Sequence, residues 1–415
     1  MPRFSIEARD GCARTGVLHL AHGEVRTPAF VPLASNASVR GLASAEVAAL
    51  GYEMVLGNTF HLFIRPGHEY VRELGGLHDF MAWKRPIITD SGGFQVFSMG
   101  HGSVAQEIKH RRGRRESRVL GIEEEGVTFR SYRDGRERFM GPETSMEVQA
   151  ALGSDIALAF DECTPFHSDR DYTARSMERT HRWLERCLAW HAEHAPRGQL
   201  LYGIVQGGVH QDLRAESAAF VAGATPAGVA VGGSLGQEKE QMHEVLDWSL
   251  APLPAESPRH LLGIGDVDDI LYAVGAGVDI FDCATPTRLG RHGTALVADP
   301  ERRFRLDLTK AESRGSRAAI APGCPCQACR EHTRGYLHYL ARAQELSAAR
   351  LITLHNLTFM AELMRGIRRA IGAGEFATHR ERVLEGRTPY GSEPVSPPSA
   401  GVRVGQAIPA QEEKS

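Results

Sequence analysis

The chain reads as an α/β protein: a (β/α)8 TIM barrel with an inserted β-hairpin and a C-terminal structural zinc-binding subdomain. Three observations predict this. Eight short apolar runs recur along the chain, most ending in a small or polar residue; amphipathic helical patterns fill several intervals between them; and a tight cysteine cluster follows the last run. With 415 residues and 42% apolar content, there is material for a large core.

The runs, in order, are Phe30 to Ala34, Met54 to Asn58, Ile87 to Ser91, Ile156 to Glu162, Leu201 to Gly207, Val229 to Gly233, Leu261 to Gly265 and Ile280 to Pro286. Helical periodicity is clearest in Tyr172 to His194, His210 to Gly223 and Asp266 to Gly277. An open doubly wound sheet would show a glycine-rich fingerprint after its first strand, and Ala34-Ser35-Asn36 is not one. The interval between the third and fourth runs is too long for one helix. Within it, Val119 to Phe139 alternates around an Asp134-Gly135 turn, which predicts the inserted hairpin.

Residues 1–385 are expected to form a single barrel domain, with the zinc-binding part at about 287–380. Residues 386–415, rich in Pro, Ser, Gly and charge without period, are expected to be a disordered tail. The N-terminus has no apolar signal region, and no run approaches the length of a membrane span, so a cytoplasmic protein without membrane contact is expected.

The formal net charge of −3 supplies no global attraction for nucleic acid, which would have to be met by local patches. One runs from His110 to Arg115. Another spans Thr287 to Arg334, with ten Lys/Arg against five Asp/Glu. Charge runs are more often solvated faces, so each counts only beside something chemical.

The seven cysteines are odd in number, and Cys324, Cys326 and Cys329 crowd into Cys-Pro-Cys-Gln-Ala-Cys, which argues for a metal rather than a disulfide framework. Three thiolates and one imidazole make a closed tetrahedral set, hence structural zinc. His355 is the expected fourth ligand, with His332 and His338 nearer in sequence and left open by spacing alone.

Chemistry in such a barrel sits where strands break into loops. Asp90 and Ser91 stand at the third strand end, Asp161 at the fourth, Gln206 at the fifth, Gly232 and Gly233 at the sixth, and Asp282 at the eighth, with Arg288 and Arg291 following to grip an anion. Taken singly, each aspartate is as well explained as a turn or helix cap. Together, a carboxylate and an amide suit the donors and O6 acceptor on one edge of guanine, while two further carboxylates are the equipment of a retaining glycosyl transfer.

The chain resembles the bacterial tRNA-guanine transglycosylases. The resemblance rests on Gly57-Asn58-Thr59-Phe60-His61-Leu62, Arg65-Pro66-Gly67, Asp90-Ser91-Gly92-Gly93-Phe94-Gln95, Phe160-Asp161-Glu162-Cys163, Val205-Gln206-Gly207-Gly208, Phe281-Asp282-Cys283 through Pro286-Thr287-Arg288, and the zinc quartet. It implies that Asp282 is the nucleophile on C1′ of a tRNA guanosine and Asp90 the general acid/base at N9. It implies base binding by Asp90, Ser91, Gly92, Gly93, Phe94, Asp161, Gln206, Gly233 and Leu262, with Cys163 lining the pocket. Gly263, Ile264, Gly265, Asp266, Val267, Asp268 and Asp269, and Thr287, Arg288, Leu289, Gly290 and Arg291, match stretches that touch the tRNA.

The implied reaction replaces guanine-34 in GUN tRNAs (Asp, Asn, His, Tyr) by 7-aminomethyl-7-deazaguanine (preQ1), on a base flipped out of its stack, in a homodimer, during queuosine biosynthesis. One departure bears on the incoming base. Gly232-Gly233-Ser234-Leu235-Gly236-Gln237-Glu238 is one residue shorter than the usual bacterial pattern, whose glutamate contacts the aminomethyl group. Asp161-Glu162-Cys163, of bacterial type, favours preQ1 over queuine. The other readings are a queuine-salvaging enzyme, an archaeal-type transglycosylase, a barrel metallohydrolase and a noncatalytic tRNA-binding partner subunit.

Overall fold

The computed structural model describes residues 3–101 and 118–390, and the basic run from His110 to Arg115 and the chain beyond Tyr390 lie outside them. Three antiparallel strands open the chain: β1 (Phe4–Asp10), β2 (Ala13–Leu20) and β3 (Gly23–Thr27). They escaped the sequence reading: β1 and β3 mix exposed with half-buried or buried residues, and β2, though mostly buried, is no continuous apolar run. Eight parallel strands then close a barrel: β4 (Ala29–Ala34), β5 (Val55–Gly57), β6 (Ile87–Thr89), β10 (Ile156–Leu158), β11 (Leu200–Val205), β12 (Gly228–Val231), β13 (Arg259–Leu261) and β14 (Ile280–Cys283). Seven fall on an expected run, whereas β13 ends at Leu261, where its run was expected to begin, because the residues after Leu261 form the loop at the mouth. Most end earlier than the run does, because residues such as Asp161, Gln206 and Gly233 have already left the hydrogen-bonded ladder.

Successive strand residues alternate between two cores, as a two-residue period requires. Val31, Leu56, Ile88, Leu158, Ile204, Ala230 and Ile280 pack inside the barrel, and Leu18 and Val25 of the opening sheet join them. Their neighbours Phe30, Val55, Ile87, Ala157, Val205, Val229 and Phe281 face the helical layer. Gly228 is glycine for a steric reason: a methyl group there would lie 2.4 Å from the ring of Tyr202, which fills the interior.

The insertion is larger than the expected hairpin. It is a three-stranded antiparallel sheet of β7 (Val119–Ile122), β8 (Val127–Arg130) and β9 (Glu137–Met140), and the Asp134-Gly135 turn joins its last two strands. After the barrel come the two-stranded sheet of β15 (Thr294–Leu296) and β16 (Arg305–Asp307) and the long helix Leu346–Gly372. That helix ties the cysteine region to the barrel mouth. Its Asn356 amide accepts from the Leu296 N–H at 2.7 Å and donates to the Pro286 carbonyl at 2.9 Å. Gly290 on the helix Thr285–Arg291 permits the close crossing, since a methyl group there would sit 2.7 Å from the Thr353 nitrogen. Tyr390 is buried edge-on to Phe359, so ordered packing continues past residue 385. Among the described residues no helix is long and apolar enough to cross a membrane.

Candidate active site

The carboxyl ends of the strands bring three aspartates to one mouth. Asp282 lies on β14 two residues after the inward-facing Ile280, so its side chain shares the barrel interior. It is 7% exposed. Its Oδ1 accepts from His260 Nε2 at 2.9 Å and from the Gly263 N–H at 3.3 Å.

Asp90 follows β6 directly. The N–H of Thr59 donates to its Oδ1 at 2.8 Å, and the amides of Asn58 and Gln95 donate to its Oδ2, the latter at 3.2 Å. Asn58 holds this position because its carbonyl oxygen also caps the helix Thr59–Ile64 through the His61 N–H. Burial pushes the Asp90 carboxyl up to about 7; the Thr59 N–H pulls against it, and the charges of Asp282 and Asp161 add to the rise. Asp282 and Asp90 are therefore electrostatically coupled.

Asp161 is the third. Ser91 Oγ donates to its Oδ1 at 2.7 Å and Gln206 Nε2 to its Oδ2 at 2.6 Å, yet burial still raises it to about 6. The surrounding backbone is bare because it must be. A methyl group on Gly93 would lie 2.4 Å from the Asp161 carbonyl oxygen, and one on Gly233, which has φ of 77°, would lie 2.2 Å from Gln206 Oε1. Gln206 Oε1 is itself buried without a partner among the described residues. Gly232 abuts Gln206 and Leu262. Phe94 is 48% exposed, a large aromatic face left open at the start of the helix Gly93–His101. Gly92 packs against Met140 of the inserted sheet. Burial pushes the Cys163 thiol up to about 12, so it lines this region as an uncharged group.

The expected tRNA-contacting residues divide. Gly263 is exposed and Ile264 half-buried, but Gly265 packs against Cys283 and Val267 is buried. Asp266 pairs with Arg305 at 2.7 Å, and Lys239 holds both Asp268 and Asp269. Thr287 is buried on the Ala284 carbonyl, Gly290 is packed on Thr353 and Leu289 is half-buried. The cations Arg288 and Arg291 keep solvent exposure; burial depresses Arg291, and Arg40 and Arg288 lower it further by repulsion. Arg40 thus completes a cationic trio that sequence spacing could not reveal.

Sequence reasoning also missed His260, the Asn58 and Gln95 donors, and Arg214. The Arg214 guanidinium is fully buried and donates to the carbonyls of Gly208, Val205, Gly232 and Ser234 between 2.7 and 3.2 Å, fixing the two glycine loops beside Gln206. An arginine inside a helical run carries no local signal for that role.

Cys324, Cys326, Cys329 and His355 form a cluster able to hold a metal ion. The three sulfurs stand 3.5, 3.6 and 3.3 Å from His355 Nδ1. The edge of a tetrahedron with Zn–S near 2.3 Å and Zn–N near 2.0 Å is about 3.5 Å, so these residues fit zinc. His355 Nε2 donates to the Leu296 carbonyl at 2.7 Å, which presents Nδ1 as the ligand atom. His338 is instead engaged with the Leu308 carbonyl, and His332 with the Tyr336 ring.

Comparison with known proteins gives one consistent answer. The profile of the family described as Queuine tRNA-ribosyltransferase matches residues 10–389. A queuine tRNA-ribosyltransferase of Roseiflexus sp. (strain RS-1) is 48% identical over 394 residues, covering 92% of this chain and 98% of the relative. One of Pelotomaculum thermopropionicum is 45% identical over 384 residues, covering 92% and 97%.

Proposed function

The chain belongs to the queuine tRNA-ribosyltransferase family, and from that premise we propose that it exchanges guanine-34 of GUN tRNAs for preQ1 through a covalent Asp282–ribosyl intermediate. At the coarser level it is a pentosyltransferase, a tRNA-guanine transglycosylase of queuosine biosynthesis, with tRNA as its substrate. The observation that carries the finer reading is the meeting of Asp282, Asp90 and Asp161 at one mouth, where burial first, and the charge of Asp282 after it, raises the Asp90 carboxyl to about 7. Asp282 attacks C1′ of the flipped nucleotide. The C1′–N9 bond breaks with its electron pair going to the base, and N9 takes a proton from Asp90. Guanine leaves carrying that proton, and the incoming base gives its own N9 proton to Asp90 as N9 attacks C1′, breaks the C1′–Oδ bond and frees Asp282.

Asp161 takes the guanine N1–H and exocyclic amine, while Gln206 and the Gly233 N–H serve O6, with Ser91, Gly92 and Gly93 as close-approach backbone and Phe94 and Leu262 on the ring faces. Arg288 and Arg291, joined by Arg40, meet backbone phosphates of the anticodon loop. Zinc at Cys324, Cys326, Cys329 and His355 would shape the RNA platform, and no bond-breaking step involves it. A homodimer is the proposed assembly. The preference for preQ1 rests on the Asp161-Glu162-Cys163 stretch. The Glu162 carboxylate is already engaged by Tyr172 at 2.6 Å and by Arg179, and Glu238 is exposed before the helix Lys239–Leu250, so neither is positioned as a ready partner for an aminomethyl group.

The test is transfer of labelled guanine from tRNA with and without Asp282→Ala. Loss of exchange and of the covalent tRNA adduct, with tRNA binding retained, is the expected result. Retained exchange would remove Asp282 as the nucleophile, whereas a wild-type chain that binds tRNA but exchanges no guanine would point to the noncatalytic partner subunit. Competition of preQ1, its nitrile precursor and queuine against labelled guanine decides the base, and a preference for queuine would select the salvage reading.

A further inference from the structure

We infer that His260 is a positioning residue that makes the two oxygens of Asp282 unequal, reserving Oδ2 for attack on the ribose. The inference rests on the transglycosylase reading above. His260 occupies β13 one position before Leu261, which faces the helical layer, so its ring points into the barrel interior, opposite Ile280 in the register with β14. That puts it one layer below Asp282. It has 0% exposure.

A fully buried histidine in this place has a bland explanation as core filling, but its bonding does not fit that explanation. Nε2 lies 2.9 Å from Asp282 Oδ1, and Nδ1 is buried with no partner among the described residues. A ring serving only to satisfy its own polar atoms would have a use for both nitrogens. Here one nitrogen is left without a partner, while the other is directed at the proposed nucleophile. The bond sits on the same oxygen that receives the Gly263 N–H at 3.3 Å. Among the described residues nothing donates to Oδ2.

The asymmetry has a chemical consequence. Oδ2 forms the bond to C1′ as the C1′–N9 bond breaks, and Oδ1 becomes the carbonyl oxygen of the ribosyl ester, still receiving the His260 N–H. Turning the carboxylate out of this orientation loses both donors, and a half-turn only exchanges the names of its two equivalent oxygens. The lone pairs of Oδ2 therefore stay aimed at the sugar through both half-reactions. A hydrogen bond to a charged group is worth about 10- to 100-fold in rate when it is lost.

The experiment compares wild type with His260→Phe and His260→Gln, reading thermal midpoint, tRNA KM, kcat for guanine exchange and the rate of covalent tRNA adduct formation. Glutamine keeps an N–H donor near the Nε2 position, whereas phenylalanine keeps only the bulk. The expected result is a fall in kcat and adduct rate of about 10- to 100-fold in His260→Phe with KM for tRNA unchanged, and recovery of most of that loss in His260→Gln. A folded His260→Phe that exchanges at the wild-type rate overturns the inference. So does a folded His260→Gln no faster than His260→Phe, which would make ring shape the cause. If His260→Phe does not fold, His260→Ala with added imidazole replaces it, and failure of imidazole to restore adduct formation overturns the inference. A wild-type protein that exchanges no guanine overturns the transglycosylase reading itself and this inference with it.

Discussion

Strand β10 carries an aspartate beyond each of its ends, and the two are built differently. Asp155, just before the strand, is buried at the N-terminal end of the barrel. Its Oδ1 accepts from the His22 N–H at 3.0 Å and from His22 Nδ1 at 2.9 Å. Its Oδ2 accepts from the Ile87 N–H at 2.8 Å, with His78 Nε2 at 3.3 Å. Burial alone would raise this carboxyl, but the donors from His78, Ile87 and His22 outweigh it, and its pKa is lowered. Asp161, three residues past the same strand, has two uncharged side-chain donors and sits at about 6. One end of the barrel saturates its carboxylate and so locks the opening sheet and the helix Gly76–Phe80 to the strands. The other leaves carboxylates short of donors, a condition that a donor-rich base can relieve. Donor supply divides the same way at β14: Asp279, just before it, takes two bonds from Arg14 and one from the Arg259 N–H, though burial still raises its carboxyl, while Asp282 near the strand's carboxyl end has donors on one oxygen only among the described residues.

The largest effect expected from this contrast is on activity at the mouth. Asp161→Asn should cut guanine exchange by at least about 100-fold while leaving the thermal midpoint unchanged or higher, since it removes an under-supplied buried charge. A loss of stability matching the loss of exchange would erase the distinction between the ends. Next comes the reverse experiment. Arg14→Met leaves Asp279 buried and unpaired and should lower unfolding free energy by about 3 to 5 kcal/mol in urea titration, with exchange per folded molecule unchanged.

The smallest effect is on pH dependence. Asp90 and Asp161, raised to about 7 and about 6, hold protons in the native state that the unfolded chain has released, so their contribution to stability falls as pH rises from about 4 toward 7. Asp155, with a lowered pKa, contributes stability that is present above its unfolded pKa and is lost as pH falls. Stability measured against pH should therefore flatten between about 4 and 6 in Asp161→Asn, and only at the acid end in Asp155→Asn. Identical profiles for the two variants would contradict the opposed shifts.

Much of the barrel was legible because parallel strands buried on both faces read as continuous apolar runs, and each of these ends in a recognisable break. The opening sheet was not legible: β1 alternates half-buried and exposed residues, with no long apolar stretch to announce it. The insertion showed alternation from Val119 and its Asp134-Gly135 turn, but not that a second turn parts β7 from β8 and makes three strands of the expected two. The mouth was legible only as a set of positions. His260 reads as strand core, and its partner lies 22 residues away on the neighbouring strand.

By itself the sequence determined the strand period, the order in which Asp90, Asp161, Gln206, Gly233 and Asp282 stand at or beyond the carboxyl ends of their strands, and the thiol set that asks for a metal, because each is a matter of local spacing and residue chemistry. Tertiary structure alone decided that His355 rather than His332 or His338 meets the thiols, that Asp90 and Asp161 titrate far above an ordinary aspartate, and that Oδ2 of Asp282 is left unbonded. Those outcomes depend on desolvation and on distances between groups far apart in the chain, and only the closed barrel sets either one.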